Sequence, residues 1–161
     1  MLTVAHSFSP IPKSIFLAGP TPRSAEVKSW RPDAIEILKD YKFNGIVYVP
    51  EHPDWAAQGT YQKQIYWEWE AINAATVVAF WIPRDLETMP AFTTNVEFGL
   101  LASSGKVVLG CPPDSPKNKY LIALAERHGI EVYATLDATM SGAIHMTNIM
   151  YQAGDDVEGS W

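Results

Sequence analysis

A doubly wound α/β domain, built on a five-stranded parallel sheet with helices on both faces, is the fold class this sequence predicts. Two observations carry that expectation. Five short apolar runs, rich in β-branched and aromatic residues and mostly without polar alternation, recur along the chain; strands covered on both faces read this way. Between them lie segments whose apolar residues recur at helical spacing. A βαβαβ order implies parallel strands joined by right-handed crossovers.

The elements follow in order. The strands are "SIFLAG" (14–19), "GIVYVP" (45–50), "TVVAFWIP" (76–83), "KVVLGCP" (106–112) and "IEVYATL" (130–136), most of them bounded by Gly or Pro. Trp30, Ala34, Ile37, Leu38 and Tyr41 form one helical stripe, with Ser29 as N-cap and Pro32 tolerated in the first turn. Ile65, Trp69 and Ile72 form a second stripe. "SPKNKYLIALAERHG" opens on Ser115-Pro116 and closes on Gly129, both usual helix punctuation. A last helix is expected from about Ser141 to Tyr151, followed by a loose acidic tail over 152–161 that ends in Trp161. Residues 1–13 read as an N-terminal arm, and the whole chain of 161 residues as one domain without repeats. At this length a flavodoxin-like arrangement fits best, and such sheets take ligands beyond the carboxyl ends of their strands.

Bulk properties exclude several classes. Hydrophobic residues make up 47% and charged ones 19%, which is globular composition. A net charge of −6 argues against tracking a nucleic-acid backbone. The single cysteine, Cys111, has no internal disulfide partner and reads as structural. The four histidines are scattered without metal-ligand spacing, so no metal is expected. No apolar run approaches a membrane span, and the first residues lack the pattern of a signal peptide. The expectation is a soluble cytoplasmic domain without membrane or nucleic-acid partners.

Three stretches can carry chemistry. "LAGPTPR" (17–23) ends the first strand; it is neither a dinucleotide fingerprint nor a P-loop, but Gly19 and Pro20 open the backbone at a sheet edge. In "QIYWEWEAINAA" (64–75), helical spacing puts Glu68 on the apolar stripe between Trp67 and Trp69. A buried carboxyl there holds its proton, unless it swings outward or pairs with a cation such as Arg31. "FTTNVEFG" (92–99) offers Thr94-Asn95-Val96-Glu97, a capping box in which Glu97 closes the helix end. The same geometry would keep Glu97 ionised at the positive helix terminus. An ionised carboxylate beside a protonated one suits glycosidic cleavage; a cap alone suits no chemistry. The residues leave that choice open.

"IFLAGP", "SWR", "WEWEAI…VVAFWIP", "TTNVEFG" and "KVVLGCP", in this order over about residues 14–125, resemble the nucleoside 2-deoxyribosyltransferase family, in its broad bacterial and phage branch. The resemblance implies that Glu97 is the nucleophile, that Glu68 meets the nucleobase, and that Phe16, Gly19 and Pro20 border the substrate. Asn95 would supply a polar contact, and Trp67 and Trp81 would lie near enough to stack on a base. Family members carry a first-strand tyrosine and an aspartate about six residues before the nucleophile; this chain has Phe16 and Ala91. The implied reaction exchanges the base of a 2′-deoxynucleoside for a free nucleobase through a deoxyribosyl-enzyme, with net retention and no cofactor. It also implies a homo-oligomer. An N-glycoside hydrolase and a non-catalytic nucleotide sensor are the alternatives.

Overall fold

The computed structural model describes residues 12–51 and 60–158, with side chains to residue 152. Ten elements alternate along the chain: β1 (Ser14–Ala18), α1 (Arg31–Asp40), β2 (Ile46–Tyr48), α2 (Tyr61–Ala74), β3 (Val77–Trp81), α3 (Phe92–Leu101), β4 (Val107–Gly110), α4 (Lys119–Arg127), β5 (Val132–Tyr133) and α5 (Leu136–Glu158). The strands form one sheet in the order β2-β1-β3-β4-β5, and every pairing is parallel. This is the flavodoxin-like order, and its direction reverses between β1 and β3.

Alternation along the buried central strands divides the core into two layers. Phe16, Ala18, Val78, Phe80 and Leu109 face one way and pack with Ile72 of α2, Phe98 of α3 and Leu121 of α4. Ile15, Leu17, Val77, Ala79, Trp81 and Val108 face the other way and pack with Trp30, Ala34 and Leu38 near α1 and with Met140 and Ala143 of α5. β1, β3 and β4 are buried throughout, so their sequences needed no polar alternation.

The differences from expectation have local causes. β5 spans two residues instead of seven because Thr135 caps the following helix: its hydroxyl accepts the Ala138 N–H and its carbonyl accepts the Thr139 N–H. α5 therefore starts at Leu136 rather than near Ser141, and its backbone continues to Glu158, into the stretch expected to be loose. α4 starts at Lys119, because the Ser115 hydroxyl donates to the carbonyls of Ile82 and Arg84 and holds residues 115–118 in a turn. Two aromatic residues leave their predicted stripes. Trp69 is 58% exposed, the buried side of α2 being Ala71 and Ile72, and Tyr41 is half-exposed with its hydroxyl donating to Asp137. Ser29 stands one place before the α1 cap position, where its hydroxyl accepts the Arg31 N–H. His6, His52, Trp161 and most of the N-terminal arm lie outside the described residues.

Candidate active site

The strand order reverses between β1 and β3, and their carboxyl ends open into a cavity of about 320 Å³. β1 contributes Phe16 and Ala18 to its lining, followed by Gly19, Pro20 and Thr21. Gly19 has φ +150°, and a β-carbon there would stand 2.1 Å from the Trp81 carbonyl oxygen. Only glycine lets the chain leave β1 this close to β3.

One buried cation braces that exit. Arg31, the first residue of α1, is 2% exposed and belongs to the apolar stripe of Ala34 and Leu38. Its guanidinium donates to the carbonyls of Leu17 (3.2 Å) and Gly19 (2.8 Å), to the Thr21 hydroxyl (3.0 Å) and to Glu51 (2.8 Å). Glu51 also accepts the Ser29 hydroxyl at 2.7 Å. The turn "GPTPR" is thus held by charge-assisted hydrogen bonds. The Trp30 indole N–H adds a further bond to the Pro20 carbonyl.

α3 supplies the second wall, and here the capping box fails. The helix begins at Phe92, after Ala91 in a left-handed conformation (φ 61°), and the Ala91 carbonyl already accepts the Asn95 N–H. Thr94 is consequently a buried residue of the first turn, with no side-chain cap, and Glu97 stands one turn further in. Its carboxylate lines the cavity together with Glu68 from α2.

The electrostatics follow from burial. Desolvation, reinforced by the neighbouring Glu68 and opposed by Arg31, raises the Glu97 carboxyl to about 7. Burial also pushes Glu68 up, against a hydrogen bond from the Gln64 amide (2.9 Å) and the attraction of Arg31. The expected division, with Glu97 ionised by a helix terminus and Glu68 alone protonated, is replaced by two carboxyls that both retain protons unusually well. Such a pair shares its titration. Arg31 forms its ion pair with Glu51 and not with Glu68.

The structure therefore brings Phe16, Gly19, Pro20, Glu68 and Glu97 around one cavity. Trp67 is not among the lining residues; it is 42% exposed, with its ring 6.4 Å from that of Phe16. Trp81 packs in the opposite core layer, its ring against Gly110, so it offers no stacking face to the cavity. Asn95 also lies outside the lining, its amide oxygen accepting the Arg84 guanidinium. Arg31, Gln64, Thr21, Tyr61 and Phe92 line the cavity without having been singled out as site residues. For Arg31 a signal existed: like Glu68, it is a charge on an apolar helical stripe.

No curated protein matches the chain in a sequence comparison. A family model described as nucleoside 2-deoxyribosyltransferase like matches residues 12–115, which include β1 to β4 and every residue of the cavity. The chain belongs to this nucleoside 2-deoxyribosyltransferase-like family.

Proposed function

We propose that the chain transfers the 2-deoxyribosyl group of a 2′-deoxynucleoside from one nucleobase to another. The observation that supports this most is the pair of cavity carboxyls, Glu97 and Glu68, carried by different helices and both raised by burial, with the Glu68 charge adding to the hold of Glu97 on its proton. The reactive form holds one proton, on Glu68, the less favoured of the two places because Glu97 keeps its own proton up to about 7. A carboxylate oxygen of Glu97 bonds to C1′ as the C1′–N bond breaks. The bonding electron pair leaves with the base, which takes the proton from Glu68. A second base then attacks C1′, the ester to Glu97 breaks, and the incoming base returns a proton to Glu68. Two displacements on one carbon give net retention. No step calls on a cofactor.

Phe16 and Pro20 present an apolar border where the sugar would lie, and Gln64 holds Glu68 in place. Asn95, expected to touch substrate, lies outside the cavity lining and accepts a hydrogen bond from Arg84. Water in place of the second base would make the chain an N-glycoside hydrolase. The openness of the rim favours that variant, since Tyr61 and Phe92 line the cavity yet are 76% and 69% exposed. A second copy of the chain would close such a rim. Phe92, Val96 and Leu100 form an exposed apolar stripe along α3 that continues from the cavity mouth, and the expected homo-oligomer rests on it. No helix among the described residues is long and apolar enough to cross a membrane.

Incubation with a 2′-deoxynucleoside, with and without a second free base, tests this reading. A new nucleoside appearing only with the acceptor supports transfer. Free base released regardless of acceptor supports the hydrolase, and release of nothing leaves a binding module.

A further inference from the structure

Arg84 follows β3 and is only 5% exposed. No carboxylate among the described residues lies within ion-pair distance of it. Its guanidinium is instead divided among three neutral acceptors: Nε donates to Asn118 Oδ1 (3.1 Å), Nη1 to the Pro90 carbonyl, and Nη2 to Asn95 Oδ1 (2.6 Å). Burying a cation without a counter-charge is costly, and here only these bonds offset it. The three acceptors belong to three segments. Asn118 precedes α4 and donates back to the Ile82 carbonyl at the end of β3, Pro90 ends the loop before α3, and Asn95 lies in the first turn of α3.

That arrangement bears on the cavity. Pro90, Ala91, Phe92, Thr93, Thr94 and Glu97 make one of its walls, and all belong to the segment Arg84 grips. The entry to α3 lacks a side-chain cap and runs through Ala91 at φ 61°, a conformation that non-glycine residues adopt only when their surroundings hold them there.

We propose that Arg84 is a positioning residue for Glu97: by fastening Pro90 and Asn95 to the end of β3 it fixes the entry of α3, and thereby the place of the Glu97 carboxylate. The inference rests on the reading of Glu97 as the nucleophile. It reassigns Asn95 from a contact with substrate to an arm of the clamp. A nucleophile displaced by about 1 Å loses on the order of a hundredfold in rate.

The test is a double-mutant cycle on base release with Arg84→Lys, which keeps the charge but cannot reach three acceptors, and Asn95→Ala, which removes one arm. The expected result is a kcat loss of about a hundredfold for Arg84→Lys and about tenfold for Asn95→Ala, with KM changed less than about threefold. The double variant should be no worse than Arg84→Lys alone, because both changes cut one linkage. Losses that multiply in the double variant, a raised KM with unchanged kcat, or full kcat in both single variants would each overturn the clamp. If Arg84→Lys does not fold, Asn95→Ala carries the test, together with hydrogen exchange of the amides at 94–97. Faster exchange in a folded Asn95→Ala supports the clamp, and unchanged exchange overturns it. Absence of glycosidic turnover in the unaltered chain would overturn the proposed function instead, and the same exchange measurement then decides the clamp by itself.

Discussion

Two cavities open along the carboxyl edge of the same sheet, and the smaller is the one that holds carboxyls. The one above β1 and β3 measures about 320 Å³ and contains Glu68, Glu97 and the buried Arg31. The other, beyond β4 and β5, measures about 740 Å³ and is lined by Pro112, Pro113, Tyr120, Tyr133, two lysines and Cys111, with no carboxylate. Both stand at strand ends, but only the first lies where the strand order reverses and two crossovers diverge. Burial there raises both carboxyls; in the other cavity it raises the Cys111 thiol, leaving it the less reactive protonated form. Position in the topology, and the charges gathered there, mark a site better than its volume does.

The largest expected effect would break that contrast outright. Glu97→Gln keeps size and polarity but removes the nucleophile, so kcat for base release should fall by about a thousandfold or more while the circular dichroism spectrum is unchanged. Tyr120→Ala, in the larger cavity, should leave kcat within about twofold. If the two variants were equally active, or if Tyr120→Ala were the crippled one, the chemistry would have been assigned to the wrong cavity.

Glu68→Gln sharpens the division of labour within the smaller cavity. Removing the acid should slow release of the most basic leaving groups by about a hundredfold or more, and good leaving groups much less. A second consequence is independent of leaving group. In the unaltered chain, activity should fall as pH rises through about 7, because the pair then loses its last proton and Glu68 has none to donate. With Glu97 the one carboxyl of the pair left to titrate, Glu68→Gln has no acid proton to lose, so that alkaline limb of kcat/KM should vanish. An unmoved limb with uniform slowing would make Glu68 a binding residue only.

Sugar selectivity probes the apolar border. A 2′-hydroxyl against Phe16 and Pro20 would lose water without gaining a partner, at about 1–3 kcal/mol. It would also withdraw electron density from C1′ and disfavour the oxocarbenium-like transition state. Deoxynucleosides should therefore exceed matched ribonucleosides by about a hundredfold in kcat/KM, about 2.7 kcal/mol. A ratio within about threefold would point to a general nucleoside hydrolase.

How much of this was legible before the structure depends on what each residue answers to. The central strands were plain because burial on both faces leaves an unmistakable apolar run, and Ile15–Ala18 and Val77–Trp81 are buried accordingly. Edge elements were less so: β5 loses Thr135 and Leu136 to a helix, since a single Thr hydroxyl outweighs β-propensity in a strand that pairs on one side only. Glu68 stood out because a charge interrupts an apolar stripe. Arg31 showed the same signal, but its partners lie on the β1 exit and at Glu51, twenty positions away in sequence. The start of α3 was misread because Thr94-Asn95-Val96-Glu97 is a well-formed capping box, and only Arg84, outside that stretch, holds the chain so that the helix begins three residues earlier. Trp69 was misplaced because helical spacing alone does not say which of two apolar faces meets the sheet. Local pattern reports local structure; a cavity wall is made by residues far apart in sequence.

The smallest expected effect is on stability, and it runs against the usual direction for mutation. The Glu97 carboxyl is raised from its usual 4.5 to about 7 in the folded chain, chiefly by burial. Between those values the folded form holds a proton that the unfolded form has released, so stability falls as pH rises through this window. Below about 4.5 both forms are protonated and nothing is lost; above about 7 the full cost of a buried charge is present. At about 1.4 kcal/mol per pH unit the ceiling is about 3 kcal/mol, and the partial exposure of the cavity reduces it. Glu97→Gln removes this cost, because an amide carries no charge at any pH. The variant should thus melt a few degrees above the unaltered chain at pH 8 and at about the same temperature at pH 4.5, with the difference growing in between. Groups common to both proteins cancel in that difference, so thermal melts across the series isolate Glu97. A constant difference, or a less stable variant at pH 8, would show that Glu97 is not held in the buried, charge-crowded position that sets it apart from every group in the larger cavity.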